Sequence, residues 1–513
     1  MPDDGAVHRE PRNAFRAGLA RAGSTPEFAV ALAVVAALLV TAACSVMMRD
    51  GTAARNRTDE TPVSPLIPAP REAEGAGPAV TAEPAARSPA DETLQTASGE
   101  PIMRVRVLRD ATRLEVGGAR HIRVGHFSVR TPAFITLGAD AWYVRDASGV
   151  STRVDRTGAD GTPLRVSSAD GHELVVNGSR FPGELRLHPS DQRAAASPGA
   201  FDVVEHVPIE TYLPGVISKE LLRDWKLEAY KAQAIAARSY ALHERERRLR
   251  TGSWFDVENS EQDQVYGGAT DHRIARRAVE ETRGIVLTWN GQILRAYYSS
   301  TCGGRAGAAR DTWPTTPGFE FNLAAPIQAH VRPCPCDFSP RHRWTVSRDR
   351  DELVRRLRAW GAENGSPVRS IASLSRIDVH RLNDAGRPAA YAVFDAAGKS
   401  WVLSAEQLRL ACNTPPAVES GAGASPAAAA PTASAGQQPA LPGSSGSRSA
   451  PARVLSGDLE LRITGNLVSI VGRGFGHGVG MCQYGAEGMA RQGKSAQAIV
   501  RHYYPGASIE RAY

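Results

Sequence analysis

The chain is predicted to be an α+β protein in which antiparallel β-rich regions and a helical segment enclose a cleft. Three observations predict this. From Met103 to about Leu187 short runs such as Met103–Leu108, Phe134–Leu137 and Glu173–Val176 alternate in character and are divided by Gly and Asp clusters. That is the pattern of half-buried antiparallel strands. Along Leu227–Arg250 the period changes, and Leu227, Tyr230, Ala234, Ala237 and Ala241 recur at helical spacing. After residue 452 strands resume and run into a Gly-rich tip, Gly472–Gly480, framed by strand and helix.

Taken in order, the first informative segment is Phe28–Met48, an uncharged and mostly apolar run preceded by Arg9, Arg12, Arg16 and Arg21. At ~1.5 Å per residue it spans about 31 Å, the thickness of a bilayer core. Residues 1–27 are expected to be cytoplasmic and 28–48 to be a membrane anchor or a signal segment, with lipidation at Cys44 a third reading. Each reading puts the rest of the chain in the cell envelope, outside the cytoplasm, with the membrane as a partner through the N-terminal segment. Residues 49–100 are rich in Pro, Ala, Glu and Thr and read as a disordered tether.

Beyond the β region, Phe201–His206 is a further strand and Leu213–Leu222 a short helix with Pro214 near its first turn. Leu227–Arg250 is the long helix, whose small residues allow a close neighbour. A helix over Asp271–Thr282 is closed by Gly284. Strands Ile285–Trp289 and Ile293–Tyr298 flank Asn290-Gly291, a hairpin signal. A helix at Arg348–Trp360 and strands at Ile377–Val379 and Ala390–Phe394 follow. Residues 413–452, rich in Ala, Pro, Gly and Ser, form a low-complexity insertion. Strands Leu459–Ile463 and Leu467–Val471 and helices Ala486–Arg491 and Ala496–Tyr503 complete the chain.

Composition excludes several classes. With 42% hydrophobic and 22% charged residues in 513, the chain is neither wholly disordered, nor a multi-span membrane protein, nor collagen-like. The formal charge of +7 is mild and carried almost wholly by Arg. No basic stripe interleaved with aromatics is present, so no nucleic-acid partner is expected. A basic surface suits an anionic envelope polymer. Past Cys44 stand five cysteines, Cys302, Cys334, Cys336, Cys412 and Cys482, an odd number that leaves at least one free thiol or metal ligand if the others pair. Cys334-Pro335-Cys336 is too short for an ordinary zinc knuckle, and a disulfide from Cys302 to Cys334 or Cys336 is expected.

Three segments carry a resemblance. They are Val207–Leu221 with Trp225 and Glu228–Tyr240; Ala296–Gly304; and Gly472–Ala486 with Tyr503–Gly506 behind it. In this order the chain resembles the stage II sporulation protein D family, whose members include amidase-enhancer proteins. The likeness covers about residues 101–512, so 101–412 and 453–513 read as two parts of one domain split by the insertion. It implies a peptidoglycan lytic transglycosylase that cleaves between N-acetylmuramic acid and N-acetylglucosamine, leaving a 1,6-anhydro end. By the same likeness Glu220 is the catalytic acid and Arg238 an Arg needed for activity. The alternative is a non-catalytic, glycan-binding enhancer of an N-acetylmuramoyl-L-alanine amidase. The partners implied are glycan strands and a cell-wall amidase.

The residues fit such chemistry. One protonated carboxyl suffices if the sugar's own C6 hydroxyl closes the ring, whereas most glycosidases need two. Val216, Ile217, Leu221 and Leu222 would shelter Glu220 and raise its pKa. Glu220 and Arg238 can meet only if the chain turns at Arg223–Lys226. His477, Gln483 and Tyr484, on a backbone made pliable by glycines, read as a wall of the glycan cleft, and Tyr298 and Ser300 line it from the second segment. Some relatives carry a zinc-binding Cys…His-Cys pattern ahead of a Gln-Val-Tyr; here Glu258, Gln262 and Asp263 hold those positions, a poor zinc set. No metal and no cofactor are expected. His342 stands where Tyr is frequent.

Overall fold

The computed structural model describes residues 94–156, 163–190, 199–260, 263–416 and 453–513. Over these the protein is a mixed α+β fold of several antiparallel sheets and a few helices. The largest sheet has seven strands in the order Val257–Glu258, Ile102–Ala111, Phe201–Pro208, Glu184–Pro189, Leu164–Ser168, His121–Val124, Phe127–Arg130. Its pairings are antiparallel except for Val257–Glu258, which runs parallel to Ile102–Ala111. Phe201–Pro208 is buried along almost its whole length, and its Asp202 is satisfied by Arg106 at 2.8 Å.

Helix α1, Ile209–Glu220, leaves that strand directly, and α2, Leu227–Arg250, folds back beside it. Ala229, Ala232, Ala234, Ala236, Ala237 and Ala241 are buried, so α2 lies close to α1 and to α3, Arg273–Glu281. One apolar core joins the sheet to these helices. A second gathers Trp344, Leu357, Trp360, Tyr391, Trp401 and Leu408 between α4, Arg350–Glu363, α5, Ala405–Asn413, and the strands around them. The chain then ends with α6, Gln483–Arg491, α7, Ala496–Tyr503, and a strand, Ser508–Arg511, that pairs with Ile285–Trp289.

The long helix falls where its periodicity puts it. The hairpin at Asn290-Gly291 forms with both residues at positive φ, 51° and 75°, as a two-residue turn of that sequence requires. Several elements depart from expectation: the strand expected over Ile293–Tyr298 is reduced to Gln292–Ile293 and Tyr298–Ser299, and α6 starts at Gln483 and not Ala486. Helix α1 begins at Ile209 and not Leu213, because its first amides find distant acceptors: Ile209 N donates to Pro101 O at 3.0 Å and Glu210 N to the Glu100 carboxylate at 3.0 Å. Pro214 therefore stands inside the helix. Helix α5 has no counterpart in the expectations, although Ser404 and Gln407 form a reciprocal capping box at its start.

The expected membrane segment 28–48 and tether 49–100 fall outside the described residues, apart from 94–100, and so does most of the insertion, from residue 417. Among the described residues no helix is long and apolar enough to cross a membrane. The expectation of a transmembrane helix, and with it of the membrane as a partner, is corrected to this: no helix among the described residues supports it.

Candidate functional site

The site begins where α1 stops. Leu221 takes extended dihedrals, which ends the helix at Glu220, and the chain turns through Arg223–Lys226 into α2. Three bonds hold the corner. Leu221 N returns to Ile217 O at 3.2 Å, the Tyr230 hydroxyl donates to Leu222 O at 3.0 Å, and Lys226 N donates to the buried Glu487 carboxylate of α6 at 2.8 Å. Helix α6 is brought here from the far end of the chain. The two-residue strands Tyr298–Ser299 and Met481–Cys482 pair in parallel, and Tyr484 N donates to Ser300 O at 3.1 Å. Gln483, the first residue of α6, thus arrives beside Glu220.

The Gln483 side-chain amide donates to the Glu220 carboxylate at 2.9 Å. Burial pushes the Glu220 carboxyl up to about 7, against the lowering effect of that hydrogen bond. Val216, Ile217 and Leu221 are buried and Leu222 half-buried beside it. Of the other ionisable groups that feel its charge, Tyr212 and Tyr298 are both pushed well above 10 by burial, so they are neutral hydroxyls at this site. Gln264 joins them: its side chain accepts from Tyr212 at 3.1 Å and donates to Tyr298 at 2.9 Å. A carboxyl poised near neutrality, with neutral donors and, among the described residues, no cation bonded to it, can hold and release a proton. Next to Gln483, Tyr484 packs edge-on against Trp225 at 4.9 Å and at a tilt against Phe338 at 5.4 Å, and Phe338 is 39% exposed.

Arg238 is elsewhere. It is fully buried and bound to Glu210 by two hydrogen bonds, 3.1 and 2.7 Å, and to Ile285 O at 3.0 Å. Glu210 also accepts from Gly284 N at 2.8 Å and from the Tyr513 hydroxyl at 2.6 Å. The chain does turn at the expected corner, but helices folded back on each other match residues equidistant from it. Arg238 meets the start of α1, whereas Glu220 lies ten residues on, about 15 Å along the axis.

His477 accepts from Val479 N at 3.0 Å, touches the Tyr298 backbone and packs edge-on against Trp313 at 4.8 Å. Burial pushes it down to about 4, so it is a neutral brace behind Tyr298. Ser300 contributes through its carbonyl. The glycine tip is packed against the chain itself: a Cβ on Gly480 would stand 1.9 Å from Tyr297 O, and φ there is +68°. Gly474 is likewise closed in by backbone, with a Cβ there 2.4 Å from Thr301 O, whereas one on Gly478 would meet the Arg387 guanidinium.

At the position of the zinc pattern, the two described residues are engaged with the protein itself. Glu258 is bonded to Arg106, and the Asp263 carboxylate accepts from Glu258 N at 2.8 Å; Gln262 lies outside the described residues. The expected disulfide is also absent. Cys302, Cys334, Cys336 and Cys482 are unbonded thiols brought together in one cluster, with Cys302 and Cys336 Sγ atoms 3.9 Å apart. Sequence reasoning missed Gln264 and the Trp225–Phe338 ring surface. Gln264 had a signal, the Gln-Val-Tyr it opens; Phe338 had none.

The comparisons bear on the same residues. A profile described as SpoIID, stage II sporulation protein, matches residues 197–289, the stretch that holds Glu220, Arg238 and Gln264. The chain is 30% identical over 322 residues to the amidase enhancer of Bacillus subtilis, covering 58% of this chain and 40% of that protein. It is 25% identical over 329 residues to stage II sporulation protein D of Bacillus subtilis, covering 60% and 76%. An uncharacterized protein of Brachyspira hyodysenteriae is 26% identical over 358 residues, covering 70% and 79%. The chain thus spans less than half of the amidase enhancer's length.

Proposed function

Because the chain belongs to the stage II sporulation protein D family, which includes amidase enhancers, we propose that it binds peptidoglycan glycan strands and promotes their processing by an N-acetylmuramoyl-L-alanine amidase. An extracytoplasmic place in the cell envelope fits this family. The likeness to a protein named amidase enhancer supports the reading. So does the neighbourhood of Gln483, where a buried amide lies beside the rings of Trp225 and Tyr484 and the exposed Phe338 carries the Arg491 guanidinium over its face at 4.3 Å. Polar side chains next to aromatic rings suit a sugar, whose ring is polar at its edge and apolar on its face.

A second reading is favoured by one observation, the Glu220 carboxyl held at about 7. It makes the chain a lytic transglycosylase. Protonated Glu220 gives its proton to the glycosidic oxygen as the C1–O bond breaks. The carboxylate then takes the proton from the C6 hydroxyl of the same muramic acid, as O6 bonds to C1 and closes the 1,6-anhydro ring. Gln483 would steady the carboxylate between the two transfers. Arg238 takes no part at the reacting atoms; as a positioning residue it fixes α1 against α2 through Glu210.

One experiment separates the readings. Purified chain is incubated with glycan strands, with and without stem peptides, alone and with a cell-wall amidase. Faster amide cleavage with no new glycan ends supports the enhancer. Anhydro-muramyl ends that disappear in Glu220→Gln support the lyase. Failure to bind or change glycan in any arm overturns both.

A further inference from the structure

We propose that Cys302, Cys334, Cys336 and Cys482 bind a single zinc ion in a closed tetrathiolate site that locks the start of α6 in place. The four Sγ atoms all lie within 4.8 Å of one another, and one pair is 3.9 Å apart. A tetrahedral ion with Zn–S bonds of ~2.3 Å sets its sulfurs about 3.8 Å apart. A disulfide would need about 2.0 Å. An iron–sulfur cluster would have to fit its own irons and sulfides between the thiolates, and the cluster is too tight for that.

The chain is built to converge here. The three contributing segments are remote in sequence: the exit of Tyr298–Ser299, the loop at 334–336, and the strand Met481–Cys482. The spacing that looked too short for two ligands works because Cys336 N bonds back to Cys334 O at 2.8 Å, a three-residue turn centred on Pro335. That turn lies against α6, where a Cβ on Gly485 would meet Cys334 Sγ at 2.5 Å and one on Gly488 would meet Pro335 O at 2.1 Å. Cys302, Cys336 and Cys482 are buried and Cys334 is half-buried, which is the enclosure of a structural site.

Thiolates also find donors. Cys482 Sγ caps α6 by accepting from Gly485 N, and it accepts from Cys302 N, both at 3.3 Å. The Tyr503 hydroxyl lies 3.3 Å from Cys334 Sγ and His342 Nδ1 3.5 Å from Cys336 Sγ. Such outer contacts orient metal ligands and spread their charge. On binding, the thiol protons pass to solvent and the ion takes their place. Four thiolates closing on one point suit zinc. The fifth cysteine, Cys412, is buried in the other core, which accounts for the odd number. Since Cys482 immediately precedes Gln483, the ion would tether the residue that bonds Glu220.

The test is elemental analysis and thiol titration of the full chain purified without chelators. The expected result is one zinc per chain, four thiols that stay unreactive until a mercurial releases the zinc, and tetrahedral cobalt–thiolate absorption after cobalt exchange. Cys482→Ala loses the stoichiometric zinc and Cys412→Ala keeps it. Reactive thiols without metal, a mass lowered by disulfide formation among these four, or stoichiometric iron in place of zinc would each overturn the proposal. Because the wild-type chain itself is read, a variant that fails to fold does not leave the question open.

Discussion

Replacing Glu220 with Gln should make the protein more stable at pH 8 and leave it unchanged at pH 4. The carboxyl has a folded-state pKa of about 7 against an ordinary 4.5, with burial as the cause. The folded state therefore holds this proton more tightly than the unfolded chain. Stability from the protonated form is complete below about pH 4.5 and drains away as the pH rises through 7. A gap of about 2.5 pH units at ~1.4 kcal/mol each comes to about 3 kcal/mol, an upper figure for a half-buried group. A glutamine at 220 carries no charge, fits the same space and can still bond Gln483. Urea unfolding of both proteins from pH 4 to pH 8 measures the difference. The gain should open across pH 4.5–7 and level off above it. A flat difference, or a Glu220→Gln chain weaker at every pH, would refute the claim that this carboxyl is sheltered.

Other outcomes follow from neighbouring contacts. Arg238→Met leaves Glu210 buried without its partner and should cost about 3–5 kcal/mol in the same unfolding assay; glycan binding by the chain that stays folded should be unaltered. Gln483→Leu removes the donor that lowers the Glu220 pKa, so carboxyl titration followed by infrared spectroscopy should move to higher pH. Gly480→Ala puts a methyl into the Tyr297 carbonyl at positive φ and should cost about 2 kcal/mol or more, read as a lowered Tm. Ser404→Ala removes the cap of α5 and should cost about 1 kcal/mol.

The sequence exposed what depends on local periodicity. Leu227–Arg250, the Asn290-Gly291 hairpin and the final helix are each written in neighbouring residues, and the structure places them there. Glu220 and Gln483 were legible as site residues only through the resemblance, because 263 positions separate them and no pattern along the chain announces that they touch. Arg238 shows the opposite difficulty. Helical spacing puts it on a buried face, but which carboxylate it meets depends on where the corner falls between two packed helices. The expected pairing of the cysteines fails, since distance along the chain says nothing about four thiols converging from three remote segments.

The pairing of Tyr298–Ser299 with Met481–Cys482 has a consequence for when the protein can act. Gln483 lies 263 residues beyond Glu220 along the chain, so a product that stops short of it carries the acid without the amide that bonds it. Glu220 therefore gains its amide partner only after the chain has been made through Gln483, a dependence written into topology and independent of any inhibitor.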